Sequence, residues 1–308
     1  TSAPNAGGPV GTVTTFAITD DAVFTQYSGT TTVTIAAAQT TRSVKMTGFL
    51  GTLAGTFQLT ISGSDTGTNA GDALVLTSTG GYTFTGLISF SSAYGGKVTT
   101  AGRTLRSVTF VNGGTWAFQD IFTIATTSTL TLTTGTITSS FDISTGLFVS
   151  SGSGTRVITS TNFYLTGVGT VWTSSGTGFT NNTTSGYITD TSASAKTISC
   201  AQFAHAPSTF YLSGNAISIG AGISKNINIS NTSTATVTIS GAHTCSSLVC
   251  NASYSGTIAG SSTLAINGGD GTVNNYSLFL SSGCTLSYTS VITFSGTSGP
   301  YSIYLNGK

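Results

Sequence analysis

The sequence predicts an all-β chain and, within that class, a β-solenoid of stacked, parallel β-helix-like coils. Three observations carry the prediction. Apolar–polar alternation recurs in short runs from end to end, an aromatic–aliphatic step returns at near-regular intervals, and the composition opposes helices. Of 308 residues, 63 are Thr, 45 Ser and 40 Gly, and only 6% are charged. Helices draw on Ala, Leu, Glu, Lys, Gln, Arg and Met; here Glu is missing, Met occurs once, and Lys and Arg together number 9. Disorder requires low hydrophobicity with high charge, whereas 38% of this chain is hydrophobic and its mean hydropathy is +0.26.

The alternating runs come in order along the chain. Thr32-Val33-Thr34-Ile35 and Phe57-Gln58-Leu59-Thr60-Ile61 are the first, followed by Thr129-Leu130-Thr131-Leu132-Thr133. Asn226-Ile227-Asn228-Ile229, Thr236-Val237-Thr238-Ile239 and Tyr301-Ser302-Ile303-Tyr304-Leu305 close the series. Each is short and bounded by Gly, Ser or Asn, the signature of a strand with one buried face. Thr is β-branched and packs well on a pleated surface, so its abundance fits strands as well as turns.

A longer period overlies the alternation. The segments pairing Phe118/Ile121, Phe141/Ile143, Phe163/Leu165, Tyr187/Ile188 and Phe210/Leu212 join an aromatic to an aliphatic residue. Their aliphatic members fall at nearly equal intervals. A fixed period of 20 to 50 residues marks stacked repeat units. In a solenoid, residues one coil apart stack at the strand spacing of ~4.8 Å and build the core. A β-sandwich gives short strands and turns too, but it has no reason to repeat one step at coil length. Solenoid is therefore assigned to residues 104–308. Before that the period is obscured by Gly/Asp/Asn-rich connections such as Ser62–Asp72, and Pro4 and Pro9 fall in the first ten residues. Residues 1–103 are read as an N-terminal β region: an irregular cap, a small sandwich, or further coils with insertions.

Particular phrases carry a resemblance. Gly114-Thr-Trp116-Ala-Phe-Gln-Asp120, Thr129-Leu-Thr-Leu-Thr-Thr-Gly135, Gly154-Thr-Arg156-Val-Ile, Leu165-Thr-Gly-Val-Gly-Thr-Val-Trp172 and Thr189-Asp-Thr-Ser-Ala-Ser-Ala-Lys196 span the middle of the chain. Over about residues 80 to 290 the chain resembles the Thr/Gly-rich β-solenoid repeats of phage tail fibres and virion appendages, which also occur in bacterial surface adhesins. The resemblance implies an extracellular or virion-surface fibre, often oligomeric, and carries no active-site residues with it.

No motif names a reaction. Glycan-cleaving β-helices need paired carboxylates. The eight acids are all Asp, and Asp120 and Asp142 are the pair whose spacing matches one coil. Turn or strand-edge roles are the expected ones for both, with Arg156 and Lys196 as candidate counter-charges. His205 and His243 lie far apart, Cys245 and Cys250 are too widely spaced for the common zinc knuckle, and neither a nucleophile elbow nor a phosphate-binding loop is present. Asp65, Asn69 and Asp72 cluster in one loop and Asp270 sits in Gly268-Gly-Asp-Gly. Both lack the ligand sets of known calcium loops and are expected as turns. No cofactor and no metal are therefore assigned. Cys200, Cys245, Cys250 and Cys284 admit three pairings, left open, with burial as small hydrophobes the favoured reading. Six Asn-x-Ser/Thr sequons match what so much Ser and Thr gives by chance.

The net charge of +1 offers no footprint for nucleic acid. No apolar run is long enough for a membrane helix, and the strands are shorter than the ~9–11 residues of an outer-membrane barrel. The N-terminal stretch from Thr1 lacks a signal peptide and the one Met is Met46, which reads as a processed product or fragment. The expected function is a structural and recognition component of an extracellular fibre, most readily a virion tail or appendage fibre, and not an enzyme. Expected partners are further subunits of the same fibre, as a homo-oligomer, and host-surface glycans. Trp116, Trp172, Tyr82 and Tyr94 are the candidate exposed contacts, with core packing the competing role of each. The alternatives are a bacterial adhesin, a polysaccharide depolymerase on a β-helix, and an ice-binding protein, the last because Thr-x-Thr runs abound although they do not recur at successive coil positions.

Overall fold

The computed structural model describes residues 17–188, 196–201, 206–213, 216–229, 234, 236–252, 254–270, 275–296 and 302–306. The chain is an all-β, parallel β-solenoid. A 3-10 turn at Gln26–Ser28, capped by Thr25, is the one helical element among the described residues. Two compact units are distinguished, residues 1–145 with 152–160 and residues 146–151 with 161–308.

Each coil of the N-terminal unit contributes a strand to each of three sides. One side is Asp21–Val23, Ser43–Lys45, Asp72–Val75, Gly95–Thr99, Thr115–Phe118, Gly135–Ser139 and Arg156–Thr159, in that spatial order. A second is Gln39–Thr41, Leu59–Ile61, Ile88–Ser91, Val108–Val111 and Thr129–Leu132. The third side has Thr32–Ile35, Thr52–Gly55 and Gly81–Phe84 early, and Thr104–Leu105, Phe122–Ile124 and Ile143–Thr145 later.

Among the described residues coils run from Asp21 and strand pairing continues across 103/104, which fits the reading of further coils with insertions. The Gly/Asp-rich stretch after Ile61 is such an insertion. Asp65 N donates to the Asp72 carbonyl (2.8 Å) and Asp72 N to Asp65 Oδ1 (2.9 Å), closing the excursion so that the strands beside it keep register. Strand Thr115–Phe118 meets Gly135–Ser139 in parallel, as stacked coils require and a hairpin forbids.

Register decides the core. Ile61, Phe90, Phe110 and Leu132 lie above one another, and the Phe90 and Phe110 rings stack at 4.8 Å and 5°. Trp116 packs against both, at 4.9 and 5.9 Å. Each such burial contributes roughly 1.5–3 kcal/mol. The sequence repeat is displaced at more than one step: Phe122, not Ile121, aligns with Ile143, Ile121 and Phe141 are 53% and 42% exposed, and Gly186, not Tyr187, aligns with Phe163.

In the C-terminal unit the same logic runs over coils of unequal length. Phe163 aligns with Gly186, then Phe210, Ile227, Leu248, Leu278 and Ile303. Leu165, Ile188 and Leu212 align as the repeat expects, but beyond them the steps are unequal, the shortest from Phe210 to Ile227 and the longest from Leu248 to Leu278. Strands must stack, but the turns between them are free to vary. Phe148, Phe163, Trp172 and Phe210 form the aromatic centre, with Trp172 at 4.4, 5.3 and 5.7 Å from the three rings. Gly186 makes room there, since a Cβ would lie 2.8 Å from Pro207 Cγ and 3.0 Å from Phe210 Cδ1. His243 belongs to this core. Its Nδ1–H donates to the Gly220 carbonyl (2.9 Å) and Nε2 accepts from the Ser224 hydroxyl (2.9 Å), so the buried ring is neutral and both nitrogens are satisfied. In the last described coil, Leu286, Phe294 and Ile303 stack on buried Ile258, Ile266 and Leu278. They are 37%, 45% and 50% exposed, since no described residue covers their far side.

These contacts set clear expectations for stability. Gly95 has φ +98° and a Cβ there would overlap the Thr115 carbonyl, so Gly95→Ala should cost about 3 kcal/mol. Gly102, at φ +76° with open space around it, should lose only about 1 kcal/mol as Ala; urea unfolding of the two variants checks the difference. Burial also holds the His243 pKa below 6.5, opposed by its bond to Gly220. The unfolded state therefore takes up the proton first. That contribution to stability is complete above pH 6.5 and is lost as pH falls toward the depressed folded value. Melting temperature should be flat from about pH 9 to 7, decline between about pH 6.5 and 5, and decline less in His243→Gln.

Candidate functional site

Of the four predicted surface contacts, the structure places only Tyr94 in solvent, 66% exposed on the turn that begins at Ser92. Trp116 and Trp172 are fully buried, which corrects their assignment as contacts. Both occupy inward positions of their strands, where period-two alternation directs the largest rings into the core. Trp172 Nε1 donates to Ser174 Oγ (3.0 Å), whereas Trp116 Nε1 is sealed without an acceptor. Tyr82 is half-buried, its hydroxyl is enclosed without a partner, and burial pushes its phenol well up. The four are not brought together.

The groups considered for chemistry are engaged structurally. Asp120 accepts from Thr100 N (2.9 Å), from Thr100 Oγ1 (3.2 Å) and from Ala101 N (2.5 Å), so it pins the turn of the preceding coil. The Phe122–Ile143 register sets Asp142 level with Ile121, one residue out of step with Asp120. Asp65 Oδ2 accepts from Lys45 Nζ (2.7 Å), whose ammonium also faces Asp72 (3.7 Å). Arg42 Nε donates to Asp21 Oδ1 (2.9 Å), and that pairing holds the Asp21 carboxyl below its usual range. Arg156 is buried and donates to the carbonyls of Gly152 (2.7 Å) and Gly154 (3.1 Å). Asp270 Oδ1 accepts from Tyr276 N (3.0 Å), closing a turn. Lys196 is buried, and His205 lies outside the described residues. All four cysteines are buried thiols outside any disulfide. Burial pushes Cys200 and Cys245 up to about 12, and the adjoining Cys284 together with burial raises Cys250.

What the solenoid does assemble is a set of outward columns. In the N-terminal unit Thr40, Thr60, Ser89, Thr109 and Thr131 lie one above another. Single hydroxyls recur at successive coils here, with Ser89 buried, while the Thr-x-Thr runs do not recur, as at Thr34–Ala54 and Thr236–Ala216.

A more differentiated column runs up the C-terminal unit, on the side formed by Asn162–Leu165, Ser185–Ile188, Thr209–Leu212, Asn226–Ile229, Ser247–Cys250, Tyr276–Phe279 and Ser302–Tyr304. Alternation sends Phe163 and Leu165 inward and Tyr164 outward, and later strands repeat the pattern. The outward residues in register are Tyr164, Tyr187, Tyr211, Asn228, Val249, Phe279 and Tyr304. Tyr164, Tyr187 and Tyr211 stack at 5.0 Å per step, within 14° of parallel. Phe279 and Tyr304 resume the stack at 5.1 Å and 11°, with Tyr276 at 4.8 Å from Phe279.

Between the two stacks the rings give way to short side chains, and a shallow cleft of about 90 Å³ opens there. Thr209, Tyr211, Asn226, Asn228, Ser247, Val249 and Asp270 line it. Ser247 Oγ donates to Asn226 Oδ1 (3.1 Å), and Asn226 Nδ2 reaches the Asp270 carbonyl (3.4 Å). Asn228 Oδ1 is shielded from solvent and has no donor. An orphaned acceptor costs about 1–3 kcal/mol until something donates to it.

None of these outward residues is among the predicted contacts. The signal that could have found them is the phrase Phe-Tyr-Leu at 163–165 and 210–212, whose middle residue alternation must turn outward. No protein-family model, curated protein or solved structure matches the chain.

Proposed function

We propose that the chain is a structural and recognition component of an extracellular fibre, of the kind carried by virions as tails or appendages. It assembles with further copies of itself and holds uncharged glycans on its outer face. One observation supports this reading above the others: the outward columns consist of hydroxyls, amides and aromatic rings, with very few charges. Stacked coils are stiff because every strand is hydrogen-bonded to its neighbours, and aromatic rings beside uncharged donors and acceptors suit the apolar faces and hydroxyl rims of sugars. A bacterial surface adhesin would use the same construction. The depolymerase alternative loses its best pair, because Asp120 is committed to the Thr100–Ala101 turn and out of step with Asp142.

The hydroxyl column from Thr40 to Thr131 favours one second reading, ice binding. Thermal hysteresis at micromolar protein is its test, and a freezing point equal to the melting point sinks it.

Screening the protein against neutral and anionic cell-surface polysaccharides should give saturable binding to neutral ones and no new reducing ends. Cleavage abolished by Asp120→Ala or Asp142→Ala would overturn the non-enzymatic reading. Salt supplies a second check. The ion pairs Arg42–Asp21, Lys45–Asp65 and Lys45–Asp72 are partly exposed, and such pairs contribute about 0.2–1 kcal/mol each. Raising salt from low to near-molar levels should shift the melting temperature by only a few degrees and leave assembly intact.

A further inference from the structure

We infer that the break in the aromatic column at Asn228 is a subsite for one neutral pyranose ring of a glycan. This rests on, and specifies, the glycan recognition proposed above. In an unbroken stack each ring covers the face of the next, leaving edges to solvent. Tyr211 is the end of its stack: Tyr187 covers one face (5.0 Å, 13°), and the other looks onto Asn228 one strand away. An Asn side chain reaches outward only about as far as the inner part of a tyrosine ring. Among the described residues of the column, none covers the outer part of that Tyr211 face, which serves as a platform for the C–H face of a sugar.

Three strand steps separate Tyr211 from Phe279 in the column. At ~4.8 Å per step the two rings stand about 14 Å apart, room for a pyranose and its ring substituents. The floor is chemically matched. Thr209 offers a hydroxyl and the Asn228 amide carries an acceptor with no donor, while Asn226 and buried Ser247, bonded to each other, hold the floor in place. A sugar hydroxyl seated against Asn228 supplies the donor that this oxygen lacks. The ligand is neutral because the one charged group in the lining is Asp270, and its carboxylate would repel an anionic sugar.

The test uses the whole chain and four probes: maltohexaose, cellohexaose and mannohexaose as neutral ligands, and hexagalacturonate as the anionic one. Calorimetry and saturation-transfer NMR report binding, and melting temperature reports folding. At least one neutral hexasaccharide should bind better than hexagalacturonate. Tyr211→Ala and Asn228→Val should each weaken it by about tenfold or more, while Tyr27→Ala, at an exposed ring on the 3-10 turn, leaves it unchanged. Asn228→Val replaces an unsatisfied amide with a β-branched residue suited to a strand, so its melting temperature should hold or rise. Loss of affinity without loss of stability separates a ligand contact from a fold defect. Neutral binding that survives both substitutions overturns the subsite and leaves the broader glycan reading standing. Binding to none of the four overturns this ligand class for the cleft, and the polysaccharide screen then decides the broader reading separately. Preference for hexagalacturonate overturns the neutral-ligand assignment.

Discussion

Everything in this molecule depends on the parallel backbone ladder between successive coils. Once the strand of Trp116 is paired with the strand of Ile137, the two side chains must share a direction and sit one strand apart. The ladder therefore turns a one-dimensional list into columns. Inward columns become the core: Ile61, Phe90, Phe110 and Leu132 on one side, Phe163 through Leu278 on another. Outward columns become the surface available for recognition. A misplaced residue in a coil is not an isolated defect, because its neighbours above and below lose a packing partner together.

The ladder also explains the composition. A solenoid coil needs three short strands and three turns, and Thr, Ser and Gly serve both. Few charges are tolerated in stacked columns, since like charges one strand apart repel. Several of those that do occur are paired or wrapped by carbonyls. Arg42 meets Asp21 and Lys45 meets Asp65 on adjoining coils, and Arg156 donates to the carbonyls of Gly152 and Gly154. What remains for the exterior is hydroxyl, amide and ring, which restricts recognition to hydrogen bonding and stacking.

Much of the fold is legible in the sequence. Alternation locates strands such as Thr129–Leu132 and Asn226–Ile229 and tells which residues face inward. The repeat implies parallel stacking. Coil length is less legible, because turns absorb insertions: the step from Leu248 to Leu278 is far longer than the step from Phe210 to Ile227. The same tolerance disguises the first hundred residues, where the Asp65–Asp72 closure hides an excursion inside an ordinary coil. The candidate site is hardly legible. Trp116 and Trp172 stand out by size, yet the ladder sends them inward. Tyr164 and Tyr211 escape notice because each sits inside an apolar pattern to which it does not belong, and Tyr187 is read as a core ring although register gives that place to Gly186.

The sequence by itself determined the class of structure and the chemistry of its exterior. Alternation is a local property with period two, and the lack of Glu and of most other charges is a property of composition alone. Which residues stand next to one another was decided only by the tertiary structure. Column membership depends on register, and register on how much chain each turn consumes, which no local pattern encodes. Tyr211 and Asn228 are well separated along the chain yet one strand apart in space. The short coil between them breaks no local rule, but it sets an amide where the next ring would stand and opens the cleft.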